Sequence, residues 1–180
     1  GRLNILDIGT GCGNIAVSVA VGLRDAGGLL AVYASDISSK ALRLAALNAK
    51  RHGVAASISL HKGSIYEAFQ GLGLGGEVDF IVSNPPYVPQ DELQRLQPEV
   101  RDYEDPRALA AGSDGLKCYM AIVEGAHNWL RPGGWLIMEL GEDQAARVKD
   151  LVCCNEAHFK DMHTIRDLQN IERIIIARSR

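Results

Sequence analysis

The stretch from Val78 to Tyr87 constrains the fold more than any other part of the chain. An apolar run of strand length is followed by Asn84 and two prolines, which cannot continue a hydrogen-bonded ladder. The pattern predicts a buried strand that ends at a rigid turn, with Asn84 and Tyr87 at the carboxyl edge of a sheet. Ligands bind at that edge in open α/β sheets, so the turn is the first candidate functional site.

Strand-like and helix-like segments alternate before this turn. The predicted order is a strand at 3–8, a helix over 14–23 capped by Asn14, a strand at 29–34, a helix over 39–51, a strand at 56–61, a short helical turn at 65–69 and the strand at 78–83. This rhythm predicts a mostly parallel sheet with right-handed crossovers.

The pattern changes after the turn. A polar segment over 89–117 is too long for an ordinary connection, which favours a functional role for it. The remaining predicted elements are a helix over 119–130, a turn at 131–134, a strand at 135–140, a helix over 143–152, a weak strand near 159–163 and a strong strand at 171–177. Since the last two strands can form a hairpin, we expect one antiparallel strand in the sheet.

Composition limits the class of protein. With 180 residues, 47% hydrophobic and 23% charged, we expect one globular domain over 1–180. The net charge of -3 argues against a nucleic-acid substrate, and no apolar run approaches membrane-spanning length. The cysteines lack CxxC spacing and the histidines lack metal-ligand spacing, so we expect no metal, reduced thiols and a cytoplasmic location. Because a core strand begins at Leu3, we also expect a fragment whose upstream part is missing.

The first predicted strand leads into a glycine loop. Gly9, Gly11 and Gly13 are spaced G-x-G-x-G, but Asn14 stands where a dinucleotide fingerprint needs its third glycine. Asp36 ends the second strand near the spacing at which a carboxylate binds a ribose diol. Together these residues favour an adenosine-containing cofactor without a pyrophosphate. The alternatives are a tight turn for the glycines and helix capping for Asp36.

Two further residues flank or enter this loop. Asp7 precedes it and is either a solvated loop residue or an anchor that shapes the glycine turn, with direct ligand contact also open. Cys12 lies inside the loop, and no histidine near it in sequence could activate its thiol. We therefore interpret Cys12 as a small filler rather than a nucleophile.

The motifs together resemble a known family. Asp7 to Gly13, Asp36 and the Asn84-Pro85-Pro86-Tyr87 turn are similar to class I S-adenosylmethionine-dependent methyltransferases that modify amides and amines. The segment from Glu99 to Tyr119 and the closing Asp167 to Arg173 resemble the HemK/PrmC family, which methylates a glutamine side-chain amide in peptide-chain release factors. The resemblance covers nearly the whole chain.

The resemblance implies a Rossmann-like α/β fold, with a seven-stranded, mostly parallel sheet and an antiparallel strand near the C-terminus. It also implies S-adenosylmethionine as cofactor, S-adenosylhomocysteine as product and a release factor as protein substrate. We further expect no direct nucleic-acid or membrane partner, and a monomer. Members of the family usually carry a small helical substrate-binding domain before the catalytic one, and this chain lacks it. We therefore expect it to bind cofactor well and release factor poorly.

The resemblance also implies the residues of the cofactor site. The backbone around Ile65 would lie near the adenine, and Ser64 stands where many relatives carry an acidic residue, so Ser64 would supply a weaker acceptor. The cofactor-binding residues implied in this way are Asp7, Gly9, Thr10, Gly11, Gly13, Asp36, Ile37, Ser64, Ile65 and Asn84.

The proline turn would hold the reacting amide. The Asn84 side-chain oxygen and the Pro85 carbonyl can both accept from a substrate NH2 group, Pro86 keeps the bend rigid, and Tyr87 would pack on the planar amide. Asn84, Pro85 and Tyr87 are thus the predicted catalytic residues, and no dedicated base is needed. Alternatively, Asn84 only caps backbone and Tyr87 only packs on the surface.

The long polar segment allows two interpretations. Glu104, Arg107 and Asp114 either belong to a flap that shapes the glutamine pocket or lie in a solvated charged linker. Two other functions also stay open for the whole chain, namely an adenine-N6 or guanine-N2 nucleic-acid methyltransferase, and a non-catalytic cofactor-binding module that docks a partner.

Overall fold

The computed structural model describes residues 1–88 and 114–180. The strands are β1 (Leu3–Ile8), β2 (Leu30–Asp36), β3 (Ile58–Lys62), β4 (Val78–Ser83), β5 (Leu130–Glu139), β6 (Phe159–Arg166) and β7 (Glu172–Ser179). The α-helices are α1 (Asn14–Asp25), α2 (Ser39–Arg51), α3 (Lys117–Ala126) and α4 (Ala145–Cys153), and short 3-10 helices lie at Ala55–Ser57 and Ile65–Phe69. Within the described residues, no helix is both long and apolar enough to cross a membrane.

These strands form one seven-stranded sheet in the order β3-β2-β1-β4-β5-β7-β6. The pairs from β3 to β5 are parallel, whereas β7 runs antiparallel to both β5 and β6. The predicted α/β class, the mostly parallel sheet and the antiparallel strand near the C-terminus are therefore confirmed.

Helices cover the two faces of the sheet. On β1, Ile5 packs into the core cluster formed with α1 and α2, and the adjacent Leu6 packs into the cluster formed with α3 and α4. This follows from the pleat, because successive side chains of a strand point to opposite faces. The largest fully buried side chain is Tyr119 of α3. The sheet is thus the middle layer of a three-layer domain.

Some predicted boundaries are wrong. β5 begins at Leu130, so the segment predicted as a turn at 131–134 lies inside the strand, at an irregularity in its pairing with β4. A Cβ on Gly134 would lie 2.9 Å from the Val78 carbonyl oxygen, so the glycine permits this close approach. Asn14 is the first residue of α1 and not its cap, because Gly13 occupies the N-cap position with φ 83°. The weak strand predicted near 159–163 extends to Arg166 as β6.

The strand ends that matter for the site lie at one level. Ile8, the last residue of β1, pairs with Ser35 on one side and with Ser83 on the other. Strand order reverses at β1, since the chain builds outward to β3 and then returns to add β4. Such a switch point leaves a crevice at the carboxyl ends of the strands, and that is where ligands bind in open α/β sheets.

Candidate functional site

Asp7 shapes the loop that follows β1. Its side chain is fully buried, and its Oδ2 accepts hydrogen bonds from the Thr10 hydroxyl at 2.6 Å and from the Ala16 amide at 3.0 Å. The second bond satisfies an amide in the first turn of α1, where the N-cap Gly13 has no side chain to do so. Asp7 is therefore an anchor of the glycine loop, and the interpretation as a solvated loop residue is wrong.

The other carboxylate oxygen of Asp7 is unusual. Asp7 Oδ1 is buried and has no hydrogen-bond partner among the residues that the structure describes. Burial raises the pKa of Asp7 to about 6, against the opposing hydrogen bonds from Thr10 and Ala16, and the nearby Asp36 carboxylate raises it further. The loop thus rests on a carboxyl group whose charge changes in mildly acidic solution.

Asp36 joins the end of β2 to the same loop. Its Oδ2 accepts from the Gly11 amide at 2.9 Å, and its Oδ1 accepts from the Ser38 amide at 2.8 Å. The side chain that caps α2 is Ser38, whose Oγ accepts from the Ala41 amide at 3.3 Å, so the interpretation of Asp36 as the helix cap is wrong. A carboxylate offers about four acceptor positions, so Asp36 has capacity left for a ligand.

The three glycines of the loop serve two purposes. Gly9 and Gly11 have φ values of 71° and 56°, and a Cβ at either would meet no atom within 4 Å. Their backbone therefore faces open space that a ligand could enter. Gly13 instead allows α1 to pack on α2, because its Cβ would lie 3.0 Å from the Cβ of Ala45. The hydroxyl of Thr10 is used by Asp7, so that side chain serves the loop.

The short 3-10 helix that follows β3 begins at a strained residue. Ile65 has φ 47°, a left-handed conformation that β-branched residues rarely adopt. The next residue holds it in place, because Tyr66 stacks on Trp129 at 5.6 Å between ring centroids and donates to the Ile122 carbonyl at 2.8 Å. Ser64, just before, is exposed. Backbone strain of this kind costs about 1–3 kcal/mol and is concentrated at functional sites.

The segment that follows β3 is tied to the end of β2. The Gly63 amide donates to the Asp36 carbonyl at 3.2 Å, which ties the end of β3 to the end of β2. Ile37, which follows Asp36, is 37% exposed, so it is open to contact at this edge. The predicted cofactor residues on β1, β2 and β3 thus meet along one edge of the sheet.

The proline turn follows β4 at the same edge. The Ser83 hydroxyl donates to the Ile8 carbonyl at 2.8 Å and so fixes the end of β4 against the end of β1. Asn84 is exposed, Pro85 is buried, and Pro86 and Tyr87 are partly buried. Within residues 1–88 and 114–180, the Asn84 side chain makes no hydrogen bond, so nothing described there supports the alternative in which it caps backbone.

Sequence reasoning missed the residues that hold this turn. Gln144 Nε2 donates to the Tyr87 carbonyl oxygen at 2.9 Å, and a Cβ on Gly141 would lie 2.8 Å from the Tyr87 ring. Tyr119 fixes Gly141 in turn, because its hydroxyl accepts from the Gly141 amide at 3.2 Å and donates to the Glu139 carbonyl at 2.9 Å. One signal was available, since a glycine just after the fifth strand lies at the same carboxyl edge.

The other residues considered earlier are exposed or lie outside the described part of the chain. Cys12 is exposed, and its carbonyl accepts from the Asn48 amide group at 2.9 Å. Asp114 pairs with Arg147 at 3.2 Å on the surface, whereas Glu104 and Arg107 lie outside the described residues. In the described part of the chain, no cluster of three or more histidine, cysteine or acidic side chains could hold a metal ion.

The chain is similar in sequence to curated methyltransferases. The chain is 44% identical over 172 residues to a release factor glutamine methyltransferase of Geobacter sulfurreducens, covering 95% of this chain and 56% of that protein. It is 41% identical over 174 residues to the protein of the same name from Moorella thermoacetica, covering 96% and 58% respectively. The chain thus spans little more than half the length of these curated relatives.

A solved structure shares the fold. The ribosomal protein L11 methylase of Lactobacillus delbrueckii subsp. bulgaricus superposes with a TM-score of 0.66 at 20% identity, covering 100% of this chain and 70% of that one. The model of the methyltransferase small domain family matches residues 2–98, which include the glycine loop, Asp36 and the proline turn. The chain therefore belongs to the methyltransferase small domain family.

Proposed function

We propose that this chain transfers a methyl group from S-adenosylmethionine to the side-chain amide nitrogen of a glutamine in a peptide-chain release factor. The observation that carries the proposal is the exposed Asn84, at the end of β4, next to the open glycine loop of β1. The two relatives named as release factor glutamine methyltransferases support the choice of acceptor.

The residues at the sheet edge fit the cofactor. The open side of Gly9 and Gly11 leaves room for close approach to the backbone, and the free acceptor positions of Asp36 suit the two hydroxyls of a ribose. Ser64 and the strained Ile65 would lie along the adenine, and the exposed Ile37 would gain an apolar cover from it. When bound, S-adenosylmethionine supplies the electrophilic methyl group.

The proline turn orients the amide that reacts. An amide nitrogen is a weak nucleophile because its lone pair is delocalised into the carbonyl, so the rate depends on holding the NH2 group in one orientation. The Asn84 side-chain oxygen and the Pro85 carbonyl accept hydrogen bonds from the two N–H groups of the substrate NH2. Both acceptors stabilise the positive charge that develops on the nitrogen during transfer. Pro85 and Pro86 have no N–H, so the turn presents acceptors without competing donors.

Tyr87 completes the acceptor site. Its ring is partly buried against Gly141, which leaves part of the aromatic face available for a planar amide. Such packing would exclude water from the reacting nitrogen. No side chain needs to remove a proton before transfer, since the N-protonated methyl amide that transfer forms is strongly acidic and loses its proton readily afterwards.

Mass spectrometry of a release factor incubated with the chain and S-adenosylmethionine tests the proposal. We expect a mass increase of one methyl group on a glutamine, and a much slower increase with the Asn84→Ala variant. DNA and RNA incubated in parallel test the nucleic-acid alternative. Methylated nucleic acid without methylated release factor would overturn the choice of acceptor. Cofactor binding without any transfer, at release-factor concentrations high enough to offset weak binding, would overturn the enzymatic function.

A further inference from the structure

We propose that Gln144 is a positioning residue for methyl transfer, one that holds the proline turn in its reactive geometry from outside the turn. The inference rests on the proposed function. Gln144 lies at the N-cap position of α4, far from the turn in sequence, and its side chain reaches back to the Tyr87 carbonyl at 2.9 Å.

The turn has one anchor at each end. Ser83 fixes the start of the turn to β1, and Gln144 fixes its far end. Between them the two prolines restrict the backbone, so Asn84 to Tyr87 should move as a stiff unit. A shift at the Tyr87 carbonyl would therefore displace the Pro85 carbonyl and the Asn84 side chain, the two groups that accept from the substrate amide.

Gln144 itself is held rigidly. The residue is 8% exposed, its backbone N–H donates to the Gly141 carbonyl at 3.2 Å, and a Cβ on Gly141 would lie 2.6 Å from Gln144 Oε1. Gly141 is in turn bonded to the Tyr119 hydroxyl. Burial raises the pKa of Tyr119, so that hydroxyl stays protonated and keeps donating to the Glu139 carbonyl. The contacts that hold Gln144 thus involve α3 and the connection between β5 and α4, and not the glycine loop.

The side-chain oxygen of Gln144 supports a functional role for this residue. Gln144 Oε1 is buried, and among the described residues it has no hydrogen-bond partner. A buried acceptor without a donor destabilises a fold, whereas an apolar side chain of the same shape would remove that cost together with the bond to Tyr87. For stability alone a methionine should serve equally well. The contribution specific to glutamine is the N–H that reaches the turn.

The Gln144→Met variant tests this directly, with the exposed Gln70→Met as its matched control. We expect kcat for release factor methylation to fall by about tenfold or more, because small misplacements of reacting groups have large effects on rate. The dissociation constant for S-adenosylmethionine and the melting temperature should stay at the wild-type values, and KM should change by less than about twofold. An unchanged kcat, or a loss shared with Gln70→Met, would overturn the inference.

The Gln144→Glu variant adds a readout that a purely structural role would not affect. A protonated glutamic acid can donate to the Tyr87 carbonyl as glutamine does, whereas the carboxylate cannot, and burial should raise the pKa of the new acid. We therefore expect the ratio of variant to wild-type kcat to rise as the pH falls, under conditions where both proteins are folded. A ratio that is independent of pH would contradict the role of the N–H donor.

The wild-type rate separates this inference from the proposed function. If the wild-type chain with S-adenosylmethionine transfers no methyl group to a release factor, the proposed function fails. If the wild-type transfers the methyl group and Gln144→Met is equally fast, only the role of Gln144 fails.

Discussion

The two halves of the candidate site are built differently. At the ends of β1 and β2, the carboxylates of Asp7 and Asp36 accept hydrogen bonds from the glycine loop and from the backbone next to it. At the end of β4, Asn84 is exposed, and the turn that carries it is held by Ser83 and Gln144. Cofactor binding and folding should therefore share residues in the first half. In the second half, the chemistry should be separable from folding.

The largest effect should come from Asn84→Ala. We expect kcat to fall by about 10²–10³, the scale for removing one group that stabilises a transition state, with cofactor affinity and stability nearly unchanged. Single-turnover kinetics with isothermal titration calorimetry would measure both quantities. If the variant also lost its affinity for S-adenosylmethionine, Asn84 would be a scaffold residue and the contrast between the two halves would disappear.

Asp7 should make stability depend on pH. Its pKa is raised from 3.8 to about 6 by folding, so the folded state holds the proton more tightly, and the resulting stability is present below pH 4 and lost as pH rises through about 6. Relative to Asp7→Asn, the wild-type should gain at most about 3 kcal/mol between pH 7 and pH 4. Urea unfolding at both values measures this, with the exposed Asp25→Asn as control. Equal differences at both pH values would show that Asp7 does not titrate as inferred.

Asp36→Ala should weaken cofactor binding by about 1–3 kcal/mol, because it leaves polar partners unpaired both in the ligand and at the Gly11 amide. The dissociation constant for S-adenosylmethionine measures the effect. Asp36→Asn, which keeps one acceptor oxygen, should lose less. An Asp36→Ala variant with wild-type affinity would remove this carboxylate from the site.

The smallest effect should come from Ser83→Ala. This change removes one buried hydrogen bond between the ends of β4 and β1, so we expect unfolding to become easier by about 1 kcal/mol. Chemical denaturation gives the free energy, and the methylation assay should show a modest loss of kcat without a change in cofactor affinity. A loss of cofactor affinity instead would mean that the two strand ends are coupled more tightly than their contacts indicate.

The order of elements was predictable from sequence because local patterns determine it. Apolar runs, glycines and helical spacing predicted every strand of the described sheet, and the hairpin of β6 and β7 followed from their short link. Boundaries failed where tertiary contact decides. The close approach of Gly134 to β4 lengthened β5, and the buried Asp7 replaced the cap that Asn14 was expected to give α1.

The candidate site was predictable only where residues are close together in sequence. The glycine loop and the proline turn each form one continuous motif. Asp36 ends a strand at about the distance from the glycine loop that is typical of a ribose-binding carboxylate. Gln144 could not be recognised in this way, since its bond to Tyr87 spans 57 positions and exists only because β5 lies beside β4. The strain at Ile65 also needs coordinates, because nothing in an isoleucine side chain favours a positive φ.

The amino ends of the parallel strands offer a route to a more thermostable protein. There Asp79 accepts from the Asn4 amide at 2.8 Å and pairs with Arg131 at 2.6 Å, which fastens β1, β4 and β5 at their other ends. Substitutions that reinforce this fastening would raise thermal tolerance without touching Asn84 or the glycine loop. The usual trade-off between robustness and turnover should therefore be weak in this chain.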